Sequence, residues 1–327
     1  MKKILFIIFA ISCLSGVTFF SVAQPFTLEI EIKNQPVNNI TIGKISGDDF
    51  IPLDTLLVHL KKQGNSNIKA ATFTFPDDAQ TGMYRIILGQ TTYAKIMGDD
   101  PQQLDFIYNK EDLILETDFA APNDSLLVVL SEENRIWFTF LQAEKKFQED
   151  LNEVEQEMDY YRNSFEAKAD TSIADNDFKW KAAVNNYNSL QKQRDNLITE
   201  IANRNPRLFA TKMIKMYREP FLDGNLSSSE RKKIFQNNFF NGLDFNEEAM
   251  INSTVYTDRI FYFLTSYNQK GFTRAQLENE YLPAVDAVLS NTNQNQRVYE
   301  FILKYLIHGF EVLKMEKVLD YIKENYS

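Results

Sequence analysis

The sequence predicts an α+β protein of two domains: an N-terminal antiparallel β-sandwich, then an irregular all-α domain with a long helical hairpin. Apolar and polar residues alternate from Phe26 to Lys33, which is the period of a strand with one face in solvent. After residue 131 the apolar residues recur every three or four positions, which is the period of an amphipathic helix. With 327 residues, 44% of them apolar, the chain is long enough to bury a core in each domain.

The β-sandwich is expected over residues 24–122. After the first strand, Asn34-Gln35-Pro36 and Ser46-Gly47-Asp48-Asp49 indicate turns. No helical period separates the short apolar segments, and this favours an antiparallel sandwich over a parallel sheet. The further strands are expected at 40–45, 50–58, 71–75, 83–88 and 104–119, the last with a turn at Asn109-Lys110-Glu111.

The helical hairpin is expected at residues 131–203. Ser131 is a typical N-cap residue, and Glu132 and Glu133 follow it in the first helical turn. A second amphipathic segment follows a turn-like stretch, and only Arg194 interrupts its heptad seam. Two such helices joined by a short connection are expected to fold back on each other as an antiparallel pair.

The whole α-helical domain is expected to span residues 125–327, with shorter helices at 204–327 after the hairpin. Glycine and proline residues divide this region into segments of helical period. Gly309 is expected to interrupt the last of them. The helices are expected at 208–217, 227–235, 252–267, 273–289 and 295–326.

The first 23 residues have the pattern of a secretory signal peptide. Lys2 and Lys3 form a basic start, an apolar run follows, and Ser21-Val22-Ala23 offers the small residues that a signal peptidase needs. Cleavage after Ala23 would place the protein in the periplasm or outside the cell, with no transmembrane segment left. Two alternatives stay open, an uncleaved membrane anchor and a lipid anchor through Cys13.

Charge and residue counts disfavour several classes of function. A net charge of −10 disfavours a nucleic-acid partner, because that affinity depends on neutralising phosphates. One cysteine and two histidines leave few nucleophiles, proton shuttles or soft metal ligands, so we expect no catalytic residue, no metal and no cofactor. His59 in the sandwich and His308 in a late helix are interpreted as packed or surface side chains rather than catalytic bases. The scattered glycines form no phosphate-binding loop.

Two abundant residue classes leave other functions open. The carboxylates suffice for a hydrolase acting on envelope glycans, because that chemistry needs only two carboxyl groups at the right separation. The chain also contains 26 Phe and 15 Tyr. At helical spacing these residues are more often core, but helices lined with them also form grooves for a peptide or a partner helix.

Several short segments share their pattern with one protein family. They are Gly82-Met83-Tyr84-Arg85-Ile86, residues 105–113, Thr117-Asp118-Phe119, Ser131-Glu132-Glu133-Asn134, residues 239–245 and residues 305–321. In these the chain resembles the non-catalytic N-terminal region of periplasmic thioredoxin-like thiol–disulfide oxidoreductases of the TlpA and ResA type. That region consists of a small β-sandwich domain of unknown function and a helical segment. The family's Cys-x-x-Cys active site has no counterpart here, so the resemblance implies the fold and not the oxidoreductase activity.

We therefore expect a secreted, non-enzymatic binding module of the bacterial cell envelope. Its partner would be a protein or a peptide, and the resemblance makes a thioredoxin-like oxidoreductase one candidate, with this protein as its accessory. The alternative is the carboxylate-based hydrolase of envelope glycans.

Overall fold

The computed structural model describes residues 25–63, 66–166 and 173–326. A β-rich region is followed by helices, so the predicted α+β fold class is confirmed. The predicted signal peptide at 1–23, with Cys13, lies outside the described residues. None of the helices in the described ranges combines the length and the apolar character that crossing a bilayer requires.

The strands form two sheets. They are β1 (Thr27–Lys33), β2 (Asn39–Ser46), β3 (Asp49–Leu57), β4 (His59–Gln63), β5 (Ser66–Thr74), β6 (Gly82–Gly89), β7 (Gln102–Tyr108), β8 (Leu113–Asp118) and β9 (Leu127–Leu130). One sheet has the order β4-β5-β1-β8-β9, and the other has the order β3-β2-β6-β7. Both sheets contribute side chains to one apolar core, as in a β-sandwich.

Strand β1 lies at the centre of the five-stranded sheet. Its Leu28, Ile30 and Ile32 are at most 1% exposed, as the alternation predicts. It pairs with β5 in the antiparallel direction but with β8 in parallel, with Leu28 opposite Leu113. The other strand pairs of the described residues are antiparallel. The parallel pair was not predicted, because strand direction depends on which distant strand arrives beside β1 and not on local period.

Three elements of this region were also not predicted. Strand β4 is polar, β9 is only four residues long, and the helix α1 (Thr92–Met97) buries none of its residues. Each therefore lacks the periodic apolar pattern on which the other predictions rest. Strand β9 extends the five-stranded sheet past residue 122.

The helices follow in the predicted order. They are α2 (Glu132–Glu166), α3 (Ile173–Arg204), α4 (Phe209–Lys215), α5 (Ser228–Asn238), a 3₁₀ turn (Glu248–Asn252), α6 (Val255–Thr265), α7 (Arg274–Asn291), α8 (Gln296–Val312) and α9 (Glu316–Tyr326). Helices α2 and α3 form the predicted hairpin.

The predicted interruption at Gly309 is wrong, because this glycine lies inside α8. The chain breaks five residues later, where Lys314 adopts a left-handed φ of 55°. The Met315 N–H there donates to the Phe310 carbonyl at 3.0 Å. A glycine inside a helix has a free-energy cost but does not end the helix when both neighbouring turns are packed.

The start of α2 joins the sandwich to the helical region. Asn134 exchanges two hydrogen bonds of 2.7 Å with the main chain of Ile107 in β7, as a neighbouring strand would. Glu133, which is 2% exposed, accepts the N–H groups of Phe209 at 3.0 Å and Ala210 at 2.7 Å. Its carboxylate thus caps α4, which has no side-chain cap of its own.

The helical region packs directly on the sandwich. Its core also contains the side chains of Ile45, Met83 and Ile107, which come from three strands of the four-stranded sheet. A separate small cluster lies between the hairpin helices and includes Val154, Met158 and Tyr187. The hairpin is therefore fixed at its base by the main core and along its length by its own cluster.

Candidate binding groove beside the helical hairpin

A cavity of about 560 Å³ lies beside the hairpin, and we call it the hairpin groove. It is lined by side chains at 148–155 in α2, 187–198 in α3, 218–222 in the chain after α4, and Tyr262 in α6. Its volume falls in the range of small-molecule and peptide sites.

Buried ion pairs connect the elements around the groove. The Arg194 guanidinium donates to both carboxylate oxygens of Glu144 at 2.7 Å, which links α3 to α2. It also donates to Glu219 at 3.2 Å, and Arg259 donates to that same Glu219 oxygen at 3.3 Å. Arg194, Glu144 and Arg259 are all buried. Arg194 thus interrupts the apolar seam of α3 because it is a cation of a network that joins α2, α3, the chain after α4 and α6.

One wall of the groove belongs to residues 218–226, which cross from α4 to α5 alongside α3 and end in a turn, and which we call the crossing segment. Gln191 accepts the Leu222 N–H at 2.8 Å and donates to the Leu222 carbonyl at 2.9 Å. Asn188 accepts the Gly224 N–H at 2.9 Å, and Arg162 of α2 donates to the Leu226 carbonyl at 3.2 Å. The hairpin therefore holds this segment by its main chain at Leu222, Gly224 and Leu226 as well as by its side chains.

Aromatic side chains add apolar surface to the groove. Phe221 is 45% exposed, and the Lys192 ammonium lies 5.4 Å from its ring centroid. Burial raises the pKa of Tyr262 to about 12 and also raises that of Tyr187. Both phenols, like ordinary tyrosines, are protonated at neutral pH, and burial keeps them so in mild alkali.

The residues considered for chemistry do not meet in the groove. His59 in β4 and His308 in α8 are both exposed and belong to different elements. Burial raises the pKa of the Glu111 and Asp258 carboxyls, but neither lines the groove. Among the described residues no group of three or more His, Cys, Asp and Glu side chains could hold a metal ion.

Sequence reasoning missed most of the groove. Glu144 was not singled out, because carboxylates on an amphipathic helix are normally solvated. Glu219 lies outside the helices and has no repeating pattern around it. The one signal in the sequence was Arg194, a cation inside an apolar seam, which called for a buried anion on a neighbouring element. Which carboxylate pairs with Arg194 depends on how the elements pack together.

Comparison of the chain with protein-family models and with curated proteins gives no match. The function is therefore inferred from the residues of the groove.

Proposed function

We propose that the protein is a non-enzymatic binding module whose hairpin groove accepts an extended segment of peptide. The crossing segment is the observation that carries this proposal. It forms a wall of the groove alongside α3, and the side chains of Gln191 and Asn188 pair with its main chain. An extended peptide in the groove would meet further amide side chains, those of Asn152 and Asn196, for its main chain and aromatic rings for its side chains.

The rigidity of the groove supports binding. The Arg194 network joins both hairpin helices to the crossing segment, so little of the groove has to become ordered when a ligand enters. Binding sites that are formed in advance lose less conformational entropy on association. The volume of about 560 Å³ holds a few residues of extended chain.

The carboxylate-based hydrolase has less support. Such an enzyme needs one carboxylic acid with a raised pKa facing a second carboxylate across a cleft. The two carboxyls with raised pKa values, Glu111 and Asp258, lie outside the groove, and Glu219 inside it is paired with two arginines.

The signal-peptide pattern of the first 23 residues supports a location for this binding module outside the cytoplasm. A cleaved signal peptide would place the groove in the periplasm or outside the cell, where its ligand would be a segment of an envelope protein. The resemblance to the N-terminal region of thioredoxin-like oxidoreductases makes an enzyme of that class one candidate partner.

Affinity selection from a library of eight-residue peptides, read by mass spectrometry, tests the proposal. Asn152 is exposed and lines the groove, so Asn152→Trp fills it, whereas Gln156→Trp adds the same ring to an exposed position of α2 outside the groove. We expect the wild-type protein and Gln156→Trp to retain a common set of peptides that Asn152→Trp does not retain. Equal retention by all three proteins would overturn the proposal, and so would no retention at all.

A further inference from the structure

A second cavity adjoins the hairpin groove. It has a volume of about 440 Å³ and shares Glu155, Leu222 and Tyr262 with the groove, so the two form one continuous depression. We call it the arginine pocket, after Arg231 of α5, which lines it. Phe235, one turn further along α5, adds apolar surface.

Arg231 is a buried cation without a full set of hydrogen-bond acceptors. Its side chain is 9% exposed, and its Nη1 group has no hydrogen-bond partner among the described residues. The nearest carboxylate belongs to Glu155, whose Oε1 is 3.8 Å from Nη2, which is too far for a hydrogen bond. The guanidinium carbon lies 5.2 Å from the ring centroid of Tyr187, and that contact supplies no acceptor for the Nη1 group.

A buried guanidinium N–H without an acceptor is costly, and an entering oxygen would recover that cost. A carboxylate fits best, because its two oxygens match the planar fork of arginine. The arginine pocket is less acidic than the protein as a whole: two basic and two acidic side chains line it, whereas in the whole chain 45 acidic residues exceed 35 basic ones. Lys232 adds a second cation beside Arg231, while Asp159 and Glu155 supply the local anions.

We infer that the arginine pocket binds a carboxylate of the peptide that occupies the hairpin groove, an inference that rests on the proposed function. The carboxylate comes either from the C-terminus of the peptide or from an acidic side chain, and the pocket sets the specificity of the groove for one or the other.

Calorimetric titration with three N-acetylated peptides tests this inference. The first is Ala-Leu-Ala-Leu with a free C-terminus, the second is the same peptide with a C-terminal amide, and the third is Ala-Leu-Ala-Glu with a C-terminal amide. The leucines suit the apolar surfaces of Phe221 and Phe235. We expect one of the two carboxylate peptides to bind about tenfold more tightly than the neutral amide, since a hydrogen bond to a charged group contributes on that order.

Three variants assign the effect to Arg231. Arg231→Gln should remove the preference for the carboxylate peptide, and Arg231→Lys should keep part of it, because the charge stays and the fork is lost. Lys233→Gln is the matched control. It also removes one positive charge from α5, but Lys233 is exposed and lies outside the pocket.

Equal affinity for all three peptides would overturn the carboxylate inference and leave the groove as a peptide site. Absence of binding by any of them would also overturn it, and the library selection would then decide separately whether the proposed function stands. A carboxylate preference that survives in Arg231→Gln would place the recognition elsewhere.

Discussion

At the scale of single residues, the buried pair of Arg194 and Glu144 joins the two hairpin helices. Buried ion pairs of this kind contribute little net stability compared with a well-packed apolar pair, but they are strongly destabilising when only one partner is removed. Glu144 keeps one further contact, a hydrogen bond from Gln148 at 2.9 Å. We therefore expect the network around Arg194 to fix the register of α2 against α3 more than it stabilises the fold.

Replacing only one partner of the Arg194–Glu144 pair is predicted to lower the free energy of unfolding more than replacing both. We expect Arg194→Met to lower the free energy of unfolding by about 3–5 kcal/mol, because Glu144 is left buried and unpaired. The double variant Arg194→Met with Glu144→Leu should recover much of this loss. Urea unfolding of the two single variants and the double variant measures the coupling. Additive losses in the double variant would show that the two side chains act independently.

Of the charged residues around the groove, only Arg194 could be recognised from the sequence. Arg194 stands out in the sequence because a cation breaks an apolar repeat, so its need for a buried anion is predictable. Glu144, Glu219 and Arg231 carry no such local signal, because their burial results from the crossing segment and α6 packing over the hairpin. A site built from four elements is visible only once those elements are assembled.

At the scale of elements, the spacing of apolar residues predicted the long strands and helices but not the short elements. Strand β1 and the hairpin helices were found because their apolar faces repeat at 2 and at 3–4 residues over long stretches. Strand β9 and helix α1 were not predicted, since neither presents a repeating apolar face, and the end of α8 was misplaced because glycine is only one way to end a helix.

The position of Gly309 inside α8 gives a prediction at this scale. A Cβ added there would meet no atom within 4 Å, so Gly309→Ala should stabilise the protein by about 0.5–1 kcal/mol through the helix propensity of alanine. Gly224→Ala is the contrasting variant, because its Cβ would lie 3.2 Å from atoms of Met158, Val184 and Tyr187. We expect it to be destabilising by about 1–3 kcal/mol. Thermal unfolding of both variants should show shifts of opposite sign, and a loss of stability in Gly309→Ala would place a helix break there after all.

At the scale of the whole molecule, many tyrosines are buried and resist ionisation. Tyr84 is 2% exposed, and burial raises its pKa to about 12. Tyr256 is fully buried, and burial raises its pKa as well. In the unfolded chain a tyrosine has a pKa of about 10. The folded protein therefore holds these protons at pH values where the unfolded chain releases them.

This difference predicts that the protein loses stability in alkali. A raised folded-state pKa contributes stability that is fully present below pH 10 and is lost as the pH rises from about 10 towards 12. We expect the free energy of unfolding in urea to fall steadily across that range, and tyrosinate absorbance to appear together with unfolding. Tyr84→Phe should make the fall shallower. An unfolding free energy that stays constant from pH 9 to pH 11, with tyrosines titrating normally, would contradict the burial of these phenols.

The whole molecule also offers a second exposed apolar surface that competes with the hairpin groove as a binding site. Helix α1 presents Tyr93, Ile96 and Met97, each at least 60% exposed, at the end of β6. It contributes no buried residue, and none of its side chains lines the hairpin groove. We therefore assign peptide binding to the groove and not to α1.

Hydrogen–deuterium exchange of the protein with and without the selected peptides tests this assignment most directly. We expect slower exchange in residues 148–155 of α2, 187–198 of α3 and the crossing segment, with α1 unchanged. Protection centred on α1 or on the strands of the sandwich, with the hairpin unchanged, would contradict it.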